Sequence, residues 1–136
     1  MNKEQLEVLE TASEYILKLI DGMYETVNYF QSDKEKQGLE MIPLLGDGIA
    51  YIIDVITVLP LDIDSSVVIN INTQLAELIQ GLEYCDYVLV SDILNYEIIP
   101  IFNNVKEGMS CIIEKQDKSE DKSNKEDVDY VTLTGH

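Results

Sequence analysis

The chain reads as an all-α protein: an up-down four-helix bundle, kinked in its second and fourth helices, with a disordered C-terminal tail. Three observations predict this. Apolar residues recur at three- and four-residue steps through four segments. Stretches rich in Asp, Ser and Pro part those segments. From Lys115 the apolar period stops, and Lys, Asp, Glu and Ser alternate up to Val128. The folded domain is therefore expected at 1–114, and an acidic, lysine-rich flexible tail at 115–136. With 46% hydrophobic residues in 136, one domain can bury a real core.

The first helix is predicted over about Lys3 to Phe30, where Leu9, Ala12, Ile16, Leu19, Ile20, Met23, Val27 and Phe30 draw one stripe. Ser32 or Asp33 is placed to cap the second helix, which runs to about Leu59. Its core stripe is Leu39, Ile42, Leu45, Ile49, Ile52, Ile53 and Ile56, and Glu40, Asp47 and Asp54 form a narrow acidic line. Beside that line run Leu44, Tyr51, Val55 and Val58, so this helix is apolar on two sides. Pro43 removes one helical hydrogen bond, and Gly46 and Gly48 weaken the helix interior. The glycines either admit a neighbouring helix or split the helix with a short loop.

Pro60 ends that helix, and Asp62, Asp64 or Ser65 is placed to cap the third, over about Ser65 to Tyr84. Its stripe is Val67, Ile71, Leu75, Leu78 and Leu82. The run VVINI suits a strand on propensity, but no second strand is available to pair with it. Asp86 caps the fourth helix, which continues to about Glu114.

The fourth helix contains DYVLVSDILNYEIIPIF. On a wheel of about 100° per residue, Tyr87, Val90, Leu94, Ile98, Ile101, Val105, Met109 and Ile112 form one stripe. Leu89, Ile93, Tyr96 and Pro100 form a second. Glu97 and Asn104 fall between the two as structural polar residues. A carboxylate so placed must find hydrogen-bond partners. A bundle helix needs one apolar face, so the surplus on the second and fourth helices must meet something. Leu44, Tyr51, Val55, Leu89, Ile93, Tyr96 and Pro100 are the candidate partner-binding residues.

The charge narrows the partners. Asp and Glu number 26 against nine Lys and no Arg, a net charge of −17, and no basic residue lies between Lys36 and Lys106. Such a surface repels phosphate backbones and anionic lipid heads, which excludes direct nucleic-acid binding. The best membrane-spanning candidate, Met41 to Leu61, holds Asp47 and Asp54. Each costs about 2.5–3.5 kcal/mol near a bilayer centre, so no membrane insertion is expected. The N-terminus lacks the apolar run of a signal peptide, which points to the cytoplasm. Cys85 and Cys111 are expected to be small buried hydrophobes.

Catalytic chemistry is scarce. The one His is the last residue, His136, so no nucleophile–imidazole pair is visible. Glu-x-x-His pairs and Cys/His clusters are absent from the sequence. No catalytic residue, metal site or cofactor is expected, and the chain is read as a non-enzyme.

The segment from Asp86 to Pro100 resembles a D-Y-V-x-x-x-D-[IL]-L-x-Y-E-[IL]-x-P stretch in small helical proteins of low-GC Gram-positive bacteria. Those proteins have no assigned activity, and some are linked with flagellar genes. The resemblance implies an all-helical fold and carries over no site. The small, acidic, helical profile is also similar to that of secretion and flagellar export chaperones. The leading expectation is an interaction protein of chaperone or adaptor type, binding a protein partner. The alternatives are a structural homodimer and an acidic inhibitor or immunity-type protein that covers a basic enzyme.

Overall fold

The computed structural model describes the backbone of residues 1–134 and the side chains of residues 1–117. It contains α1 (Lys3–Gln31), α2 (Glu35–Val58), α3 (Ser66–Glu83), α4 (Tyr87–Ile93), a π-helical turn (Leu94–Ile98) and α5 (Ile99–Thr134). The last three run on without a break, so the described chain makes four helical spans and no strand.

A capping box starts α1. The Gln5 N–H donates to Asn2 Oδ1 at 2.8 Å, and the Asn2 N–H donates to Gln5 Oε1 at 3.0 Å. All eight residues of the predicted stripe are buried. Thr26 is buried beside them, its hydroxyl donating to the Gly22 carbonyl at 2.7 Å.

Neither Ser32 nor Asp33 caps α2; its N-cap is Lys34, which makes no side-chain bond. Asp33 instead takes the left-handed conformation, φ 58°, just past the end of α1. The Lys34 N–H then closes onto the Tyr29 carbonyl at 2.9 Å, in the manner of a Schellman turn. The turn between α3 and α4 repeats this device. Cys85 has φ 54°, and the Asp86 N–H donates to the Gly81 carbonyl at 2.8 Å. Asp86 caps α4 as expected, accepting from the Leu89 N–H at 3.1 Å. At α3 the N-cap is Ser65, which makes no side-chain bond, while Asp64 just before it accepts from the Ser66 N–H at 2.9 Å.

The second helix is not split. α2 passes through Pro43, Gly46 and Gly48 as one helix of 24 residues. A Cβ on Gly48 would stand 2.5 Å from the Tyr15 hydroxyl and 2.7 Å from Leu19 Cδ1, so this glycine lets α1 and α2 approach closely. A Cβ on Gly38 would meet the Phe30 ring at 2.7 Å. Phe30 in turn stacks on Tyr87, with ring centroids 5.4 Å apart, and ties the α1–α2 turn to the start of α4.

Pro100 has no N–H, and its ring would crowd the carbonyl four residues back in a regular helix. The π turn precedes it, and the Ile99 N–H donates to the Leu94 carbonyl, five residues back. One extra residue in this turn resets the phase of the helix. The buried pairs Ile93/Leu94 and Ile98/Ile99 therefore lie five apart on the same side. Phe102, outside both predicted stripes, becomes a fully buried core residue.

The backbone of α5 is helical through Thr134, across most of the stretch expected to be disordered. From Met109 to Thr134 there is no Gly or Pro to end a helix. Side chains from residue 118 onward, and residues 135–136, lie outside the described part.

The helix α1 is the hub of the bundle. It packs along α2, along α5, and against α4 and the π turn. The helix α3 packs on α4 and the π turn. Between α2 and α3, the seam that completes the ring, the backbones stay farther apart than between α1 and α2.

Candidate functional site

The open seam forms a cleft of about 320 Å³. From α2 it is lined by Ile42, Pro43, Leu45, Gly46 and Ile49, and from α3 by Leu75, Leu78, Ile79 and Leu82. Leu94, at the start of the π turn, completes the lining. Every one of these residues is apolar. Leu45, Ile49, Leu78 and Leu94 are core side chains and make the floor. Ile79 stands at the rim, 53% exposed. Gly46 sits where a Cβ would meet nothing within 4 Å, so a missing side chain keeps this wall low.

The faces of α2 follow in order around the helix. Gly48, Ile52 and Leu45 turn to α1; Ile49, Ile42 and Gly46 turn to the cleft; Leu39, Ala50 and Pro43 follow, and Glu40, Asp47 and Asp54 come after them, on the outward side. On α3 the exposed Glu83 lies beside Ile79 and Leu82. The cleft is an apolar trough with carboxylates along its outside.

The residues singled out from the sequence separate in space. Val55 is a core side chain, and Ile93, also buried, lines the groove that Leu89 and Tyr96 share. Val55 is close to the α1 face of α2, and Ile93 is turned inward just before the π turn. Tyr51 is half-buried against α1, its ring meeting that of Tyr15 edge-on at 5.1 Å. Leu44 is 62% exposed and is not among the residues lining the α2–α3 cleft, and Pro100 is exposed on the outside of α5. Leu89 and Tyr96 are exposed and meet in a shallower groove between α3 and α4. Gln74, Glu77, Asp92 and Glu97 share that groove, which is therefore polar as much as apolar.

Glu97 and Asn104 are not held between apolar stripes: both are exposed. The wheel that placed them assumed a constant angle per residue, and the π turn breaks that assumption. Asn104 borders a small recess of about 180 Å³ with Ile63, Val67 and Ile101. The cysteines are also not buried. Cys85 and Cys111 are free and exposed, Cys85 because it occupies a turn instead of a helix face.

Two tyrosines and one aspartate are shifted in their ionisation. A hydrogen bond of 2.7 Å to Glu25 raises the Tyr29 hydroxyl above its ordinary value. The Cys85 thiol raises Tyr87 in the same direction, with help from partial burial. Backbone donation from Ser66 holds Asp64 below the ordinary carboxyl value. None of the three faces the cleft. Among the described residues, no three His, Cys, Asp or Glu side chains converge to hold a metal ion.

The cleft went unnoticed in the sequence because its floor reads as ordinary core. The available signal was Ile79, an isoleucine off the α3 stripe, opposite Gly46 in the middle of an apolar helix. α2 is also long and apolar enough to cross a membrane, yet only 33% of its most apolar eighteen-residue window is buried.

Residues 7–108 match the family described as a domain of unknown function, DUF8042. That span is most of the chain and holds every residue of the cleft; the chain belongs to this family. No curated protein and no solved structure matches it.

Proposed function

We propose that the chain is a non-enzymatic protein-binding module, and that the α2–α3 cleft seats an apolar helix face of another protein. One observation carries this reading: a trough lined wholly by apolar side chains lies open between α2 and α3. Contiguous apolar surface of this kind marks interaction sites, and a groove between two helices suits a third helix. The non-enzymatic part rests on the sequence, whose one His is terminal and which has no Arg. A chaperone or adaptor role, with any link to flagellar export, belongs to this proposal.

The cleft spans Ile42 to Ile49 on one side and Leu75 to Leu82 on the other, two helical turns or about 10 Å. A partner stripe at i, i+3 or i+4, and i+7 covers that length. The test is fluorescence anisotropy with a labelled helical peptide of about five turns, Leu at those positions and neutral polar residues elsewhere. It should bind the wild-type chain and lose binding to Ile79→Asp, while the far-ultraviolet circular dichroism of that variant stays unchanged. Equal binding to both would refute the reading.

A further inference from the structure

Resting on that docking reading, we infer that the occupant is an amphipathic helix with basic residues flanking its apolar stripe, supplied by a different protein and not by a second copy of this chain. The argument is charge complementarity at the rim. Glu40 and Asp47 flank Pro43, the outermost α2 residue of the lining, Asp54 continues their line past the end of the cleft, and Glu83 stands on the α3 side; all four are exposed. No Lys or Arg lies anywhere between Lys36 and Lys106, a span that contains the whole lining. A helix laid in the trough would bring its flanking positions over these carboxylates. Lys or Arg there would meet opposite charge in surroundings partly stripped of water, where screening is weaker than on an open surface. Glu or Asp there would meet like charge, which weakens the complex.

The same charges argue against self-association through this face. A second copy carries the same net charge of −17 and the same acidic edges, so joining two clefts sets like against like along both rims. The lining itself has no charged or polar side chain that would favour a particular partner. Selection by charge therefore falls to the rim, while the trough supplies apolar burial.

The probes are three labelled helical peptides with one Leu stripe and differing only at the flanking positions: neutral, Lys or Glu. Each is titrated by anisotropy into the wild-type chain and into Gly46→Trp, at about 50 mM and about 500 mM salt. Gly46→Trp fills the trough from a position with free space around its Cβ, and replacing a helical glycine does not weaken the helix. Ile79→Asp is the second blocking variant, and both are checked by circular dichroism. The Lys peptide should bind wild type about tenfold tighter than the neutral peptide at low salt, and within about twofold at high salt. The Glu peptide should bind more weakly than the neutral one, and both blocking variants should lose all three.

Equal binding of the three peptides would overturn the charge inference and leave helix docking standing. Binding of none would overturn docking and the inference together. Undiminished binding of the Lys peptide to Gly46→Trp and Ile79→Asp would put the attraction outside the cleft and overturn the inference. A wild-type dimer by light scattering that becomes a monomer in Gly46→Trp would make a second copy the occupant, which also overturns it.

Discussion

The two faces of α2 are alike in composition and opposite in fate. Toward α1, Ile52 is fully buried, Gly48 lies under Tyr15 and Leu19, and Tyr15 meets Tyr51 edge-on. Toward α3, Ile42, Gly46 and Ile49 border an open trough. Gly48 and Gly46 are two residues apart and mean different things: one is bare because a neighbour fills its place, the other is bare with nothing there. Apolar character alone does not close a seam. Closure needs side chains on the facing helix that reach across, and α1 provides them where α3 does not.

Truncations should separate the faces most strongly. Ile52→Ala removes a fully buried side chain and should cost about 2–5 kcal/mol in urea unfolding, whereas Ile79→Ala at the rim should stay within about 0.5 kcal/mol. Near-equal losses would mean that the α2–α3 seam is packed in solution. The glycines sharpen the contrast with opposite signs. Gly46→Ala should raise stability by up to about 1 kcal/mol through helix propensity. Gly48→Ala should lower it by about 1–2 kcal/mol, because Tyr15 and Leu19 must give way. Two stabilising outcomes would show the α1–α2 seam to be looser than its geometry.

The turn at the far end of α3 gives a smaller effect. Cys85 holds a left-handed conformation that favours glycine, so Cys85→Gly should gain about 0.5–1 kcal/mol by thermal melting. Asp64 should give the smallest effect. Ser66 lowers its carboxyl in the folded chain, so its contribution is present above the ordinary value of 3.8 and fades as pH falls through the lower folded value. The difference in melting temperature between wild type and Asp64→Ala should therefore shrink on acidification in that range. A difference that stays constant would show that Asp64 is not held by Ser66.

Much of the fold was legible because α1, α3 and the inner stripe of the fourth span keep a regular period. Leu9 through Phe30 could be read directly, and so could Ile71 and Leu78. The period failed where the backbone changed its geometry. A wheel of constant angle cannot pass the π turn, so it left Phe102 off the core stripe and set Glu97 among apolar neighbours. Asp86 caps α4 as its position predicts, but Asp33 and Cys85 take left-handed turn positions usually held by glycine, which neither a cap pattern nor an apolar setting reveals. The candidate site was the least legible part. A cleft is the space that α2 and α3 leave between them, and no residue pattern within either helix records what the other fails to fill.

The most direct test of the open seam is methyl NMR with a soluble paramagnetic relaxation agent, on the free chain at a concentration where light scattering gives a single mass. The account predicts strong relaxation of the Ile42 and Ile79 methyls and protection of Ile16 and Ile52. Ile42 and Ile79 protected as well as Ile52 would mean that the trough is closed in the free protein, and would contradict the account.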